Sequence, residues 1–111
     1  MNQRQLRHQF YADQFEVKFG GGSLVFQGTV MGCGITSVTG LGSIKTGTKE
    51  ELLQTLKSNG GFQSIGIIIA VLGEFQFAEV EPIALNLGFE VISEHYNPMH
   101  ERKQKLYKLI L

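Results

Sequence analysis

The sequence predicts an α/β protein built on a mixed β-sheet, and three observations support this fold class. Residues 15–39 show strand-type alternation and many β-branched side chains. A helical pattern at 49–58 then precedes the wholly apolar run 65–71, which is typical of a strand in the middle of a covered, partly parallel sheet. Together with a second helical pattern and two closing strands, these segments predict the order α-β-β-β-α-β-α-β-β, with helices packed on the sheet.

The first half of the chain contains the first predicted helix and three strands. Residues 2–14 are predicted to form a short, polar helix whose Leu6 and Phe10 can contact the domain. In the strand that follows, Val17 and Phe19 alternate with charged side chains. The glycines at 20–22 interrupt this pattern, as a hairpin turn does. Residues 24–31 and 35–39 are predicted to be the next two strands, and the sequence Gly-Cys-Gly at 32–34 predicts a bulge or bend between them.

The second half contains two helices and three strands. Thr48 is the predicted N-cap of the helix at 49–58, and Glu51 lies three residues on, as a capping box requires. Pro82 is disfavoured inside a helix, so the second helix is expected to begin near Glu81 and to end at Gly88. Residues 89–96 and 106–111 are the two closing strands, and the polar stretch 97–105 joins them.

Composition limits the function classes. The chain has 111 residues and is expected to form a single domain over 1–111. Lys and Arg number 10, as do Asp and Glu, and this neutral balance disfavours a nucleic-acid partner. Neutrality also favours self-association, so a homodimer is one expectation. A single cysteine, together with the absence of any signal-peptide or membrane-spanning pattern, predicts a cytoplasmic protein that does not bind membranes.

The loop before the first core helix is the candidate ligand site. Its residues are those at the helix start: Lys45, Thr46, Gly47, Thr48 and Lys49. A helix N-terminus presents free N–H groups and the positive end of a dipole, which suits phosphate. The alternative is an ordinary capped helix start with solvated lysines.

The segment Ala84-Leu85-Asn86-Leu87-Gly88-Phe89 ends a predicted helix and enters a strand. This pattern, with the element order from residue 16 onward, resembles the Gcn5-related N-acetyltransferase (GNAT) family. The resemblance implies a three-layer arrangement and an acetyl-CoA cofactor. It also implies that backbone amides of residues 45–49 bind the pyrophosphate of that cofactor, because Gly47 matches the central glycine of the family's Gln/Arg-x-x-Gly-x-Gly/Ala loop. The implied activity is acyl transfer from acyl-CoA to an amine.

This sequence departs from the family pattern at several positions. Ile44 and Lys49 stand at the flanking positions of the loop motif, and Ala84 stands where many members place a tyrosine general acid. Residues 35–42 contain no carboxylate to serve as a base. The remaining catalytic candidates are His95 and Tyr96, at the end of a predicted strand. Whether the chain is an enzyme therefore stays open. The alternative is a non-catalytic binding or regulatory module that acts through a protein partner or self-association.

Two further groups of residues contain side-chain types that occur in functional sites. Cys33 lies between two glycines and could expose a thiol, but a buried position in a bulge accounts for it better. Glu94, His95, His100 and Glu101 contain metal-ligand types without diagnostic spacing, so the sequence predicts no metal site.

Overall fold

The computed structural model describes residues 14–28, 34–59 and 65–111. Within these residues the chain forms six strands and two α-helices, with short 3₁₀ turns at Leu41–Ser43 and Glu74–Gln76. In chain order they are β1 (Gln14–Phe19), β2 (Gly22–Gly28), β3 (Ile35–Thr39), α1 (Lys49–Lys57), β4 (Ile67–Gly73), α2 (Phe77–Asn86), β5 (Glu90–Asn97) and β6 (Arg102–Ile110). The helix predicted at 2–14 lies outside the described residues, except that Gln14 already belongs to β1.

The strands form one mixed sheet in the order β1-β2-β3-β4-β6-β5. All neighbouring pairs are antiparallel except β3 and β4, which are parallel and joined by the crossover through α1. The α/β fold class and the central, partly parallel position of the apolar strand are thereby confirmed. The connection between β3 and β4 places the start of α1 close to the point where these two strands end.

One face of the sheet carries the core. Its largest buried side chains include Leu24 and Phe26 of β2, Ile68 of β4, and Tyr107 and Leu109 of β6. Ile68 pairs with Leu109, and Tyr107 pairs with Ala70. Both helices pack on this face: Leu52 and Leu56 of α1, and Val80 and Ala84 of α2, belong to the same buried cluster.

The opposite face of β4 is apolar but more open. Ile67, Ile69 and Val71 alternate with the buried residues, and the side chain of Val71 is 50% exposed. No helix of the described ranges packs there, so these ranges supply two layers, a sheet and one layer of helices.

The N-terminus of α1 is capped by Thr48, as predicted. The Thr48 side chain accepts a hydrogen bond from the N–H of Glu51 at 3.2 Å. The second half of the predicted capping box takes a different form, because the Glu51 carboxylate accepts from the Thr48 hydroxyl at 3.1 Å. The backbone N–H of Thr48 is therefore not used by the cap.

We expect Thr48→Ala to lower the free energy of unfolding by about 1 kcal/mol, because it removes the acceptor for an N-terminal amide of α1. Thr55→Ala is the matched control in the same helix. The Thr55 hydroxyl bonds only the carbonyl oxygen of Glu51 one turn back, so its loss is expected to change stability by less than about 0.5 kcal/mol. Urea denaturation of both variants measures the difference. Equal losses would contradict the capping role.

The expected start of α2 near Glu81 is wrong. The helix begins at Phe77, and Pro82 lies inside it. Pro82 removes the N–H that would bond the carbonyl of Ala78. Both residues are exposed, so that carbonyl lies on the water side of the helix, where solvent can satisfy it. Val80 and Ala84 lie four residues apart on the buried face of the helix, and their packing stabilises the helix although it contains Pro82.

Two strand boundaries also differ from the sequence expectation. The central strand covers Ile67–Gly73 rather than 65–71, because pairing with β6 continues to Gly73 and Gln104. The last strand begins at Arg102 rather than 106. Residues 102–105, which had been predicted as a loop, pair with β5 near the edge of the sheet, where polar side chains are tolerated.

Candidate functional site

The loop before α1 is seated on the turn between β1 and β2. The backbone N–H groups of Lys45 and Thr46 both donate to the carbonyl oxygen of Gly20, at 2.7 and 3.1 Å. Gly20 has a φ of 59°, and a Cβ atom there would lie 2.1 Å from the carbonyl oxygen of Thr46, so this close approach requires glycine. Two successive amides thus converge on one oxygen, and backbone N–H groups that converge in this way can also bind an anion.

Gly47 fixes the other side of the loop. Its φ is 131°, and a Cβ atom would lie 2.6 Å from two ring atoms of Phe19. The side-chain amide of Asn86 donates to the carbonyl oxygen of Gly47 at 3.1 Å. The loop is thus held between the β1–β2 hairpin and the C-terminal end of α2.

The amides that open α1 remain available. Among the residues that the structure describes, four consecutive backbone N–H groups have no hydrogen-bond acceptor, those of Gly47, Thr48, Lys49 and Glu50. Three of them, those of Thr48, Lys49 and Glu50, form the exposed positive end of the helix. Lys45 and Lys49 add positive charge, but Glu50 and Glu51 in the first turn offset it. Any preference for an anion therefore depends on the directed N–H groups and on the placement of the lysines more than on net charge.

A surface pocket of about 230 Å³ lies between this loop and α2. Its walls are Ile44–Gly47 on one side and Pro82, Ile83, Asn86 and Leu87 on the other. Lys45 is the ionisable residue of this lining. Small-molecule sites commonly measure about 300–1,000 Å³, so the pocket has room for one part of a larger ligand.

The sheet opens beside this region. β3 and β4 pair only from Ile35–Ile67 to Ser37–Ile69, although β4 continues to Gly73. The β3-facing edge of β4 beyond Ile69 therefore has no strand partner in the described ranges. In α/β sheets, an opening at the carboxyl ends of parallel strands is a common ligand position.

The two predicted catalytic candidates lie elsewhere. His95 and Tyr96 are on β5, the outer strand, where they pair with Gln104 and Lys103 of β6. Because β6 separates β5 from β4, they lie about 10 Å from β4 across the sheet, and Tyr96 is 59% exposed. The structure brings residues 45–49 together but does not bring these two residues to them. Ala84, at the position where the resemblance implies a tyrosine, is fully buried in the core.

A second ionisable cluster joins α2 to β6. The Oε2 atom of Glu81 accepts from Lys105 Nζ at 2.8 Å and from the hydroxyl of Tyr107. These two hydrogen bonds, led by that of Lys105, hold the pKa of Glu81 below its ordinary value of 4.5, against the opposing effect of desolvation. Burial, reinforced by the bond to Glu81, raises the pKa of Tyr107. Glu81 is therefore ionised and Tyr107 neutral at physiological pH, and the cluster fixes α2 on the sheet.

The other sequence candidates contribute no described site. Cys33 lies outside the described residues. In the ranges that are described, no three residues of the types His, Cys, Asp and Glu are grouped so as to hold a metal ion. No helix in these ranges has the length and hydrophobicity to cross a bilayer.

Two residues at the site were not predicted from the sequence. Gly20 was assigned only to a hairpin turn, although the run of three glycines is itself a sign of close backbone contact. Asn86 has no recognisable sequence signal, because its partner Gly47 is 39 positions away along the chain. Both contacts depend on the folded arrangement of the hairpin and α2.

Solved structures resemble this arrangement of strands, helices and loop, although no protein-family model and no curated protein sequence matches the chain. An acetyltransferase of the GNAT family from Bacillus anthracis superimposes with a TM-score of 0.57 at 14% identity, over 80% of this chain and 57% of that one. The spermidine N-acetyltransferase SpeG from Vibrio cholerae gives a TM-score of 0.52 at 10% identity, over 96% of this chain and 72% of that one. The described chain spans little more than half of the Bacillus protein, and at these identities the likeness concerns architecture. On this evidence the chain has a GNAT-like fold.

Proposed function

We propose that this chain binds the phosphate-bearing part of acyl-CoA at the start of α1 and acts as a small acyl-CoA-dependent N-acyltransferase. The observation that carries the proposal is the pocket between residues 44–47 and α2. Its lining includes Gly47, the first of four consecutive residues whose backbone N–H groups have no acceptor in the described ranges. The GNAT-like fold supports the assignment, because the two acetyltransferases with which the chain superimposes share it.

The residues at the start of α1 supply the hydrogen-bond donors and the positive charge that a phosphate group requires. The amides of Gly47, Thr48 and Lys49 are available, and Lys45 and Lys49 provide cations at the same helix end. The apolar walls supplied by Ile44, Ile83 and Leu87 suit the uncharged arm of a coenzyme. The amides of Lys45 and Thr46 are already bonded to Gly20, so they are not counted among these donors.

Acyl-CoA supplies an activated acyl group as a thioester, and an amine acceptor must lose a proton as it attacks. The chain's own contribution is to bind and orient the donor: Lys49 and the helix amides fix the phosphates, and the open edge of β4 beyond Ile69 offers backbone groups for hydrogen bonding. His95 and Tyr96 lie two strands away from this edge, too far for a proton transfer through one water, so we propose that the amine loses its proton to solvent.

A non-catalytic binding module is the second candidate, and one observation favours it. Lys45 is the ionisable residue in the pocket lining, and His95 and Tyr96 lie two strands away from β4. A protein with this arrangement can bind a coenzyme or a protein partner without transferring an acyl group. The two functions differ in turnover, so coenzyme binding and acyl transfer must be measured separately.

We expect coenzyme A to raise the thermal midpoint of the wild-type chain, because a ligand at about 100 times its Kd adds about 2.7 kcal/mol to stability. Lys45→Ala and Lys49→Ala should each raise the Kd about five-fold, since each removes about 1 kcal/mol of attraction to phosphate near a protein surface. Lys57→Ala is the matched control, because Lys57 lies at the opposite end of α1.

Isothermal titration with CoA and acetyl-CoA measures these constants. An unchanged midpoint and no measurable heat for the wild-type chain would overturn coenzyme binding. Equal effects of Lys57→Ala and Lys49→Ala would show that general electrostatics, rather than this helix end, attracts the ligand. Release of free CoA with a panel of amines then separates the two candidates: binding with turnover supports the transferase, and binding without turnover supports the module.

A further inference from the structure

We propose that the β1–β2 turn is a built-in occupant of the phosphate-binding loop, and that coenzyme phosphate competes with the carbonyl oxygen of Gly20 for the amides of Lys45 and Thr46. This inference rests on the function proposed above and concerns how the same site is regulated. It assigns a role to the hairpin turn, which lines no wall of the pocket.

The geometry of the loop carries the argument. The N–H groups of Lys45 and Thr46 converge on one oxygen atom, that of Gly20, at 2.7 and 3.1 Å. The partially negative carbonyl oxygen of Gly20 thus occupies the position at which these two amides could bind an oxygen of an anion. The four amides that follow have no acceptor in the described part of the chain. The row of consecutive amides is therefore divided into an occupied pair and an available set.

The competition favours an anion once the turn can move. Hydrogen bonds from amides to a charged oxygen are shorter and about twice as strong as those to a neutral carbonyl. Opposing this, the turn packs tightly on the loop, because no atom larger than hydrogen fits between Gly20 and the Thr46 carbonyl. Full use of the loop amides thus requires the turn to withdraw from the loop.

Ser43 sets how firmly the turn is seated. Its hydroxyl accepts from the N–H of Ser23 at 3.0 Å. The same hydroxyl lies 3.0 Å from the carbonyl oxygen of Ser23 and 2.7 Å from that of Gly40, so these two acceptors share its one proton. These contacts tie the start of β2 to the residue just before the loop, and Ser43 itself is exposed. Removing the hydroxyl loosens the hairpin and also removes the contact with Gly40, but it changes none of the residues that supply the loop amides.

Titration of Ser43→Ala with inorganic pyrophosphate and with CoA tests the proposal. We expect the variant to bind both ligands about three- to five-fold more tightly than the wild-type chain, which corresponds to the loss of one hydrogen bond holding the turn. Ser93→Ala, an exposed serine on β5, is the control and should leave both Kd values unchanged. In amide NMR spectra of the wild-type chain, the signals of Gly20, Lys45 and Thr46 should shift together on adding CoA.

Unchanged or weaker ligand binding by Ser43→Ala would overturn the proposal. If the turn only supported the loop, loosening the turn would weaken the binding of ligand to the loop. Static signals for Gly20 and Lys45 during CoA binding would overturn it as well, while leaving coenzyme binding intact. If neither protein binds pyrophosphate or CoA, both this inference and the proposed function fail. Binding by Ser43→Ala alone would support the inference and show that the wild-type loop is closed.

Discussion

Gly20→Ala is expected to lower the free energy of unfolding by about 2–5 kcal/mol. About 1–2 kcal/mol comes from forcing a non-glycine residue to a φ of 59°. A further 1–3 kcal/mol comes from overpacking, because the new methyl group would lie 2.1 Å from the backbone oxygen of Thr46. The obstacle is backbone rather than a flexible side chain, so the hairpin or the loop must move as a whole.

Gly21→Ala is the matched control for this prediction. Gly21 also has a positive φ, 82°, but a Cβ atom there would meet only the side chain of Lys45, at 3.2 Å. Its expected cost is therefore the conformational part alone, about 1–2 kcal/mol. Urea denaturation at constant m-value measures both variants. If the two variants lose the same stability, the contact between the turn and the loop contributes nothing measurable.

The sequence predicted most of the fold because the local patterns agree with the tertiary structure. Alternation at Val17 and Phe19, the apolar central strand and the Thr48 cap all correspond to observed elements. These features depend on neighbours within a few residues, or on apolar side chains whose spacing along the sequence indicates which face is buried. For the same reason the α/β class and the mixed sheet followed from the element order.

The errors occurred where tertiary contacts override local preference. Pro82 argued against a helix start at Phe77, but the burial of Val80 against the sheet stabilises a helix that includes the proline. The polar residues 102–105 gave no strand pattern, because they lie next to an exposed edge strand where polar side chains face water. Neither outcome can be read from a window of ten residues.

The candidate site was only partly predictable. The helix start at Thr48 was recognisable from local chemistry, whereas the contacts of the loop were not. Gly20 lies about 25 residues before Lys45, and its carbonyl reaches the loop only because β1 and β2 form a tight hairpin at that point. The pairing of Glu81 with Lys105 and Tyr107 likewise joins residues 24 and 26 positions apart. Such long-range polar contacts leave no periodic signal.

Glu81→Ala is expected to cost about 2–3 kcal/mol at pH 7. The substitution leaves the hydroxyl of the fully buried Tyr107 without its acceptor and removes the ion pair with Lys105. A buried hydroxyl left unpaired costs about 1–3 kcal/mol, and a hydrogen bond to a charged group contributes about 1.5–3 kcal/mol. Glu79→Ala, an exposed carboxylate in the same helix, is the control and should change stability by less than about 0.5 kcal/mol.

The same cluster makes a prediction about pH. Because the pKa of Glu81 is below 4.5 in the folded chain, ionisation of Glu81 stabilises the fold above pH 4.5, and this contribution is lost as the pH falls through the folded-state value. Glu81→Gln keeps the size of the side chain and a carbonyl acceptor for Tyr107 but cannot ionise. The wild-type chain should therefore exceed Glu81→Gln in thermal midpoint at pH 7, and the gap should close between about pH 5 and pH 3. A gap of constant size across that range would show that packing of the side chain, rather than its charge, fixes α2 on β6.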